Sequence, residues 1–438
     1  MTMFGLNENE VEPLALALAG RDLDRDEQAE VVARAAWSGI AEPGDRLAGV
    51  IVQVLGAAEA LRAVLAAPAV DRFLARLHEA GATEVDGKQA EEALGRWRPR
   101  LPMANAVQVM RQAARVDARL LVPSDPRWPT GVDDLGEHAP LALWVRGNDA
   151  ALDALPRSIA LVGARAATGY GEHVTMEASA GLVDRGYAIV SGAAYGIDGM
   201  AHRAALASHG QTIAFLAGGV DRFYPSGHDA LLTRIVEQGA VISELPCGQA
   251  PTKWRFLQRN RLIAAASRAT VVLEAGWRSG SLNTAGHAST LGRPLGAVPG
   301  PVTSAASAGC HRLIRDYTAL CVTNPDEMAE LAPLEEAPTL FDAGFRAGVP
   351  SAGVPSAGVP SAGVSSAGSP GAGALGGDER SPELTRLFDA ISVRSPRVVA
   401  DIAARSGLSP DAVRALLGTL ELEGRVAERE RGWVRVAG

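Results

Sequence analysis

From about residue 156 the chain alternates short apolar runs with stretches of helical length, an order that few architectures satisfy. The apolar runs cover 158–163, 188–191, 212–217, 240–243, 270–274 and 295–298, each followed by turn residues. Stretches such as 172–185 and 197–208 are long enough for helices. A run without polar alternates is a strand covered on both faces, and strands separated by helices pair in parallel. The expectation is an α/β fold with a doubly wound, mostly parallel sheet. Such sheets hold ligands outside the carboxyl ends of their strands.

The segments that follow these strands carry the chemistry. Between the fourth and fifth strands stands Lys253-Trp-Arg-Phe-Leu-Gln-Arg-Asn-Arg261, four cations and two aromatic rings in nine residues. Cations neutralise phosphates and flat rings stack on unpaired bases, so the stretch suits single-stranded nucleic acid. The whole chain of 438 residues carries a net charge of −8, which makes this local cluster stand out. Residues 156–325 hold 15 Lys and Arg against 10 Asp and Glu, whereas 1–155 hold 16 against 24 and 326–380 hold 2 against 8. The middle of the chain is its one clearly basic part.

Other strand ends are compatible with anions. The first strand runs through Gly163 to Arg165, followed by Thr168-Gly-Tyr170-Gly171 and a helix. A helix start offers free amides and Arg165 a two-pronged phosphate donor, although a plain turn accounts for the same residues. The second strand ends at Ser191 and Gly192; beyond it Asp198 and His202 lie one helical turn apart, read as a hydrogen bond that fixes a helix start. After the fifth strand, Ser279, Gly280 and Ser281 open a helix with Thr284 one turn in, fitting a phosphate or simple N-capping. Taken together on one sheet edge, these segments favour a continuous phosphate-binding groove. No catalytic constellation and no cofactor site is evident.

Around this core the composition changes. Residues 8–120 are Ala- and Leu-rich with Gly and Pro punctuation, expected as a small helical bundle for packing or dimerisation, with a helix-hairpin-helix type of contact as the alternative. Residues 334–380 contain a pentapeptide array at 348–372 and are expected as a linker between the core, 121–333, and the last domain. Residues 381–438 fit a winged helix-turn-helix: helices over 382–391, 397–405 and 410–423, Ser409 as N-cap, then a hairpin over 425–436. That last segment nets only +1, so duplex reading through it is disfavoured.

The three cysteines, Cys247, Cys310 and Cys321, have neither zinc spacing nor a disulfide framework. The first residues lack a basic-then-apolar signal pattern, and the most apolar stretch, 50–70, is broken by Gln53, Glu59, Arg62 and Pro68. A cytoplasmic protein with no metal and no membrane contact is expected.

With these residues placed, the chain resembles the DNA-processing protein A family, DprA or Smf. The matching blocks run in order: Ile159 to Arg165 with Tyr170-Gly171, Ser191 to His202, Gly218 to Pro225, Ser243-Glu244, Arg259-Asn260-Arg261, Glu274, Ser279 to Ala285, Gly292-Arg293 and Val298-Pro-Gly300. Upstream, Pro126 to Pro129 and Leu143 to Gly147 are also similar. The resemblance covers about 121–325 and implies an extended Rossmann-like core with flanking helical and winged-helix domains. It implies a non-enzymatic, dimeric recombination mediator that binds and protects incoming single-stranded DNA during transformation and helps load RecA. In that family Arg165 corresponds to a phosphate contact, Lys253, Phe256, Arg259 and Arg261 to a basic base-stacking loop, and 279–281 to a phosphate-binding turn. Leu257, Asn283 and the Cys310-His311 pair depart from the family's usual residues. A nucleotide-binding or nucleotide-hydrolysing Rossmann-like enzyme is the alternative; the Gly-Gly-x-Gly-Thr-x-x-Glu turn of one such family is missing its glutamate here.

Overall fold

The computed structural model describes residues 2–66, 69–102, 104–334 and 381–436. The chain opens with a short hairpin, β1 (Thr2–Met3) and β2 (Leu6–Asn7). Seven helices follow: α1 (Glu8–Ala19), α2 (Arg25–Ile40), α3 (Arg46–Leu55), α4 (Ala57–Leu65), α5 (Val70–Glu79), α6 (Gly87–Trp97) and α7 (Ala104–Arg115). Local signals start them. Asp24 with Glu27, and Asp86 with Gln89, form reciprocal capping boxes, and α1 stops at Gly20 in a left-handed conformation. Trp37 and Trp97 meet edge-to-face at 5.3 Å in the centre of this bundle.

The bundle does not stand apart. Val11, Leu18 and Val32 share one apolar cluster with Trp144, Ala214 and Val241 of the sheet, and the Trp144 indole donates to Ser38 Oγ at 3.1 Å. No single helix among the described residues is long and apolar enough to cross a membrane.

The core is one nine-stranded sheet. In chain order it comprises β3 (Arg119–Leu121), β4 (Leu143–Gly147), α8 (Asp149–Asp153), β5 (Ser158–Gly163), α9 (Gly169–Asp184), β6 (Ala188–Ser191), α10 (Ile197–Ala207), β7 (Thr212–Phe215), α11 (Asp229–Gln238), β8 (Ala240–Ser243), α12 (Lys253–Ala266), β9 (Ala269–Glu274), α13 (Ser281–Thr290), β10 (Leu295–Ala297), α14 (Ala308–Asp316), β11 (Leu320–Cys321) and α15 (Pro325–Glu330). The strand order is β11-β10-β9-β5-β6-β7-β8-β4-β3. Strands β5 to β8 are parallel and lie side by side; the chain then crosses back to place β9 on the other side of β5. The doubly wound, mostly parallel sheet is as expected. The six anticipated strands all form, while three others do not show in the sequence pattern. β4 and β3 extend the sheet antiparallel to β8, and β3 crosses the expected domain boundary at 120. They are short, and Trp144 and Leu120 on one face alternate with residues that pack on the other.

At the C-terminal end, α16 (Pro382–Ala390), α17 (Val399–Ser406), α18 (Pro410–Leu422) and the hairpin β12 (Val426–Arg429) and β13 (Gly432–Arg435) form the winged helix. Ser409 caps α18 by accepting from the Ala412 amide at 3.2 Å, as its spacing predicts. It rests on the rest of the protein: the Arg100 guanidinium donates to the Ala404 carbonyl, and Asp389 accepts from the Trp254 amide. The pentapeptide array falls outside the described residues.

Candidate nucleic-acid interface

Because β9 returns beside β5, the loops leaving these two strands diverge and open a crevice at the carboxyl edge of the sheet. A groove of about 910 Å³ lies there. Gly163, Arg165, Lys253, Phe256, Arg259, Asn260, Ser279, Gly280, Ser281 and Thr284 all line it. Three segments far apart in sequence, 163–165, 253–260 and 279–284, therefore meet at one edge.

The basic-aromatic stretch is a helix rather than a loop. Thr252 caps α12 by accepting from the Arg255 amide, and the nine residues form its first two and a half turns. Helical periodicity then sorts the four cations onto different faces. Lys253, Phe256 and Asn260 share the groove side, while Arg255 and Arg261 point away. Arg255 is buried against Glu42 at 2.9 Å and donates to the Ala250 carbonyl; Arg261 is buried, its Nη2 donating to both carboxylate oxygens of Glu244 at 2.7 and 2.8 Å. The expectation that Arg261 faces a strand is thus corrected: its guanidinium serves the inside of the protein.

Arg259 is intermediate between these cases. It is buried beneath the groove, donating to the Gly192 and Phe215 carbonyls, and burial pushes its pKa down to about 10, leaving it charged at neutral pH. A Cβ on Gly192 would lie 2.5 Å from the guanidinium carbon, so only glycine permits this approach. From below, Arg259 lies 5.7 Å from the centre of the Phe256 ring; Arg165, exposed, lies 5.1 Å from it, and Tyr224 is tilted against it at 5.5 Å. Phe256 is held by two cations and a second ring, beside an open groove.

On the opposite wall, the Ser279 and Ser281 hydroxyls are 2.8 Å apart, and the start of α13 at Gly280 carries no side-chain cap. Asn260 donates to Asn283 at 3.2 Å, tying α12 to α13, so the unusual Asn283 has a defined partner. Leu257 lines the groove, Cys310 is buried with its thiol directed at the Val272 carbonyl, and His311 Nε2 bonds to the Gly300 carbonyl.

The remaining predicted residues shape the groove from outside it. Tyr170 donates to the Pro299 carbonyl at 2.7 Å, and Gly171 packs under the Glu274 carboxylate, which accepts from the Thr168 amide and hydroxyl. Ser191 is buried, donating to the Leu161 carbonyl. Asp198 and His202 do not bond to each other. Asp198 accepts from the Ala194 amide, and His202 meets the Thr212 hydroxyl; both roles are structural, but the anticipated pairing is corrected. Tyr224, Arg278 and Asp389 also line the groove and were not singled out from the sequence. Tyr224 closes the block after the third strand, a position that could have marked it; Asp389 arrives from a distant domain, which no local pattern signals. Among the described residues no group of three or more His, Cys, Asp or Glu is placed to hold a metal ion.

The geometry agrees with what comparison with other proteins shows. The family model of DNA recombination-mediator protein A matches residues 119–333, and that of the DprA winged helix domain matches 374–430. A putative DNA processing protein DprA of Mycobacterium tuberculosis is 41% identical over 338 residues, covering 73% of this chain and 77% of the relative. DNA processing protein DprA of Streptococcus pneumoniae is 40% identical over 200 residues, covering 45% of this chain and 70% of the relative. A crystal structure of DNA processing protein A from Streptococcus pneumoniae superimposes with a TM-score of 0.55 at 28% identity, covering 69% of this chain and 97% of that one. A sheet with a basic-aromatic crevice at its switch point, a winged helix after it, and this identity over most of the chain are one finding: the chain belongs to the DNA recombination-mediator protein A family, DprA.

Proposed function

We propose that this protein binds single-stranded DNA in the groove between the β5 and β9 loops and acts, without chemistry of its own, as a recombination mediator in DNA uptake. The observation that carries the reading is the Phe256 ring supported by Arg165 and Arg259 beside Lys253 and the Ser279–Ser281 turn. A ring with cations on its flanks is a stacking platform for an unpaired base, and the exposed Arg165 and Lys253 reach its phosphates. The seryl hydroxyls opposite supply neutral donors for the backbone. In this reading Gly163, Tyr170, Gly171, Ser191, Gly192, Asn260 and Thr284 form the walls, Arg259 supports the platform from within, and Arg261 fixes α12.

The rest of the reading rests on family membership. The protein would act in the cytoplasm as a homodimer, protect incoming single strands and help load RecA. The test is anisotropy of labelled single-stranded and duplex oligonucleotides at two salt concentrations, followed by RecA filament assembly on strands already coated with a single-strand-binding protein. Tight, salt-sensitive, single-strand-preferring binding with faster filament assembly is expected. Binding of a free nucleotide without strand binding would overturn the reading in favour of a nucleotide-processing enzyme.

A further inference from the structure

The first turn of α12 is already occupied by an anion. Thr252 caps the Arg255 amide, and the Asp389 carboxylate of α16 accepts from the Trp254 amide at 3.1 Å. Asp389 is exposed and lines the same groove as Arg165, Lys253 and Ser279–Ser281, where it stands among cations and hydroxyls. A carboxylate oxygen on a helix-start amide occupies the place a phosphodiester oxygen would take. We propose that the N-terminal turn of α12 is a phosphate subsite at the mouth of the groove, held by the chain's own Asp389 until a strand displaces it, so that strand binding and winged-helix docking compete.

Three contacts seat the winged helix over this mouth. Arg386, one turn before Asp389, lies 5.8 Å from the Trp254 ring, whose indole nitrogen is buried without a hydrogen-bond partner. The Arg100 guanidinium donates to the Ala404 carbonyl at 2.6 Å. Gly407, after α17, packs so closely on Glu42 that a Cβ there would stand 2.5 Å from its side chain. The near-neutral charge of residues 381–438 fits a domain that, among the described residues, presents a carboxylate to the groove rather than a DNA-reading surface. Displacement would bare Trp254 directly beside the strand, adding an aromatic ring to the platform only in the open form.

This inference rests on the groove being the strand site, and the experiment separates the two. Full-length Asp389→Asn, Asp389→Ala and, as a control on the same helix away from the Trp254 amide, Glu383→Gln are compared with wild type by anisotropy on a labelled single strand. Thermal unfolding checks each variant. Removing one anion from a helix start is expected to tighten binding by about 2- to 5-fold in both Asp389 variants, with Glu383→Gln unchanged. X-ray scattering of the wild type should show an expanded particle on strand addition as the winged helix lifts. Unchanged affinity in both Asp389 variants, an equal gain in Glu383→Gln, or no expansion on binding overturns the competition. A wild type that binds no strand at all instead overturns the proposed function.

Discussion

The Arg165 guanidinium stands 5.1 Å from the centre of the Phe256 ring, so a cation that can meet a phosphate and a ring that can meet a base form one unit. Their roles are separable by salt. Each phosphate contact contributes about 0.7 to the slope of log affinity against log salt on single strands. Arg165→Ala is expected to weaken binding and flatten that slope by about this amount. Phe256→Ala removes stacking of about 1–3 kcal/mol, roughly 5- to 150-fold, and leaves the slope unchanged. Titrations at four salt concentrations check both; equal slopes in wild type and Arg165→Ala would remove Arg165 from the phosphate path.

The cations of the α12 stretch divide into one exposed at the groove and others buried in the fold. Lys253 is exposed at the groove, so Lys253→Ala is expected to weaken strand binding while changing stability by less than about 0.5 kcal/mol. Arg261 is buried against Glu244, so Arg261→Ala strands a carboxylate inside and is expected to cost about 3–5 kcal/mol. Urea unfolding of the two variants distinguishes them. A stable Arg261→Ala variant with weakened DNA binding would return Arg261 to the groove.

This division shows where the sequence stops being informative. Apolar runs of four to six residues revealed every parallel strand from β5 to β10, and turn residues after them located the groove, because burial on both faces leaves a period-free apolar signature. The outer strands β3 and β11 at the two edges, and β4 beside β3, are too short, or too alternating, to leave one. In the site, the composition of 253–261 was legible but not its geometry. Four arginines and lysines look alike in a row, and which of them reach solvent depends on helical phase and on Glu42 and Glu244, more than 200 and about 17 residues away from their partners in the chain. The Asp389–Trp254 contact joins residues 135 apart and had no local signal.

Glu42 is a hub between three parts of the protein. Burial alone would push its carboxyl up, but the Arg255 and Arg100 guanidiniums outweigh that and hold it at about 2, against an ordinary value of 4.5. Its folded value is depressed, so the stability it contributes is present above about pH 4.5 and is lost as pH falls towards 2. Glu42→Gln is expected to be destabilised at neutral pH, by up to about 3–5 kcal/mol, since two buried guanidiniums lose their counter-charge. It should also lose less stability than wild type between pH 4.5 and 3. Chemical denaturation at pH 7, 4.5 and 3 measures both; parallel pH dependence in the two proteins would mean that Glu42 is not the group titrating.

His202 sets a milder acid limit. The Thr212 hydroxyl donates to the Ile189 carbonyl, so its oxygen is left to accept from His202 Nδ1–H, and Nε2 is bare, buried and without a partner. Burial pushes the His202 pKa down to about 3, and burial with the nearby Arg261 takes His287 to about 4. A proton added to either ring in the folded state has nowhere favourable to go, whereas the unfolded chain accepts one near pH 6.5. Stability is therefore full above pH 6.5 and falls as pH drops from there, by up to about 1.4 kcal/mol per pH unit for each histidine. Wild type is expected to lose Tm steadily between pH 7 and pH 5, before Glu42 begins to titrate. His202→Asn, starting from a lower Tm, should lose it less steeply, because one of the two depressed imidazoles is gone. Calorimetric scans at half-unit intervals read the two slopes, and an unchanged slope in His202→Asn would show that the buried ring is not what sets the acid limit.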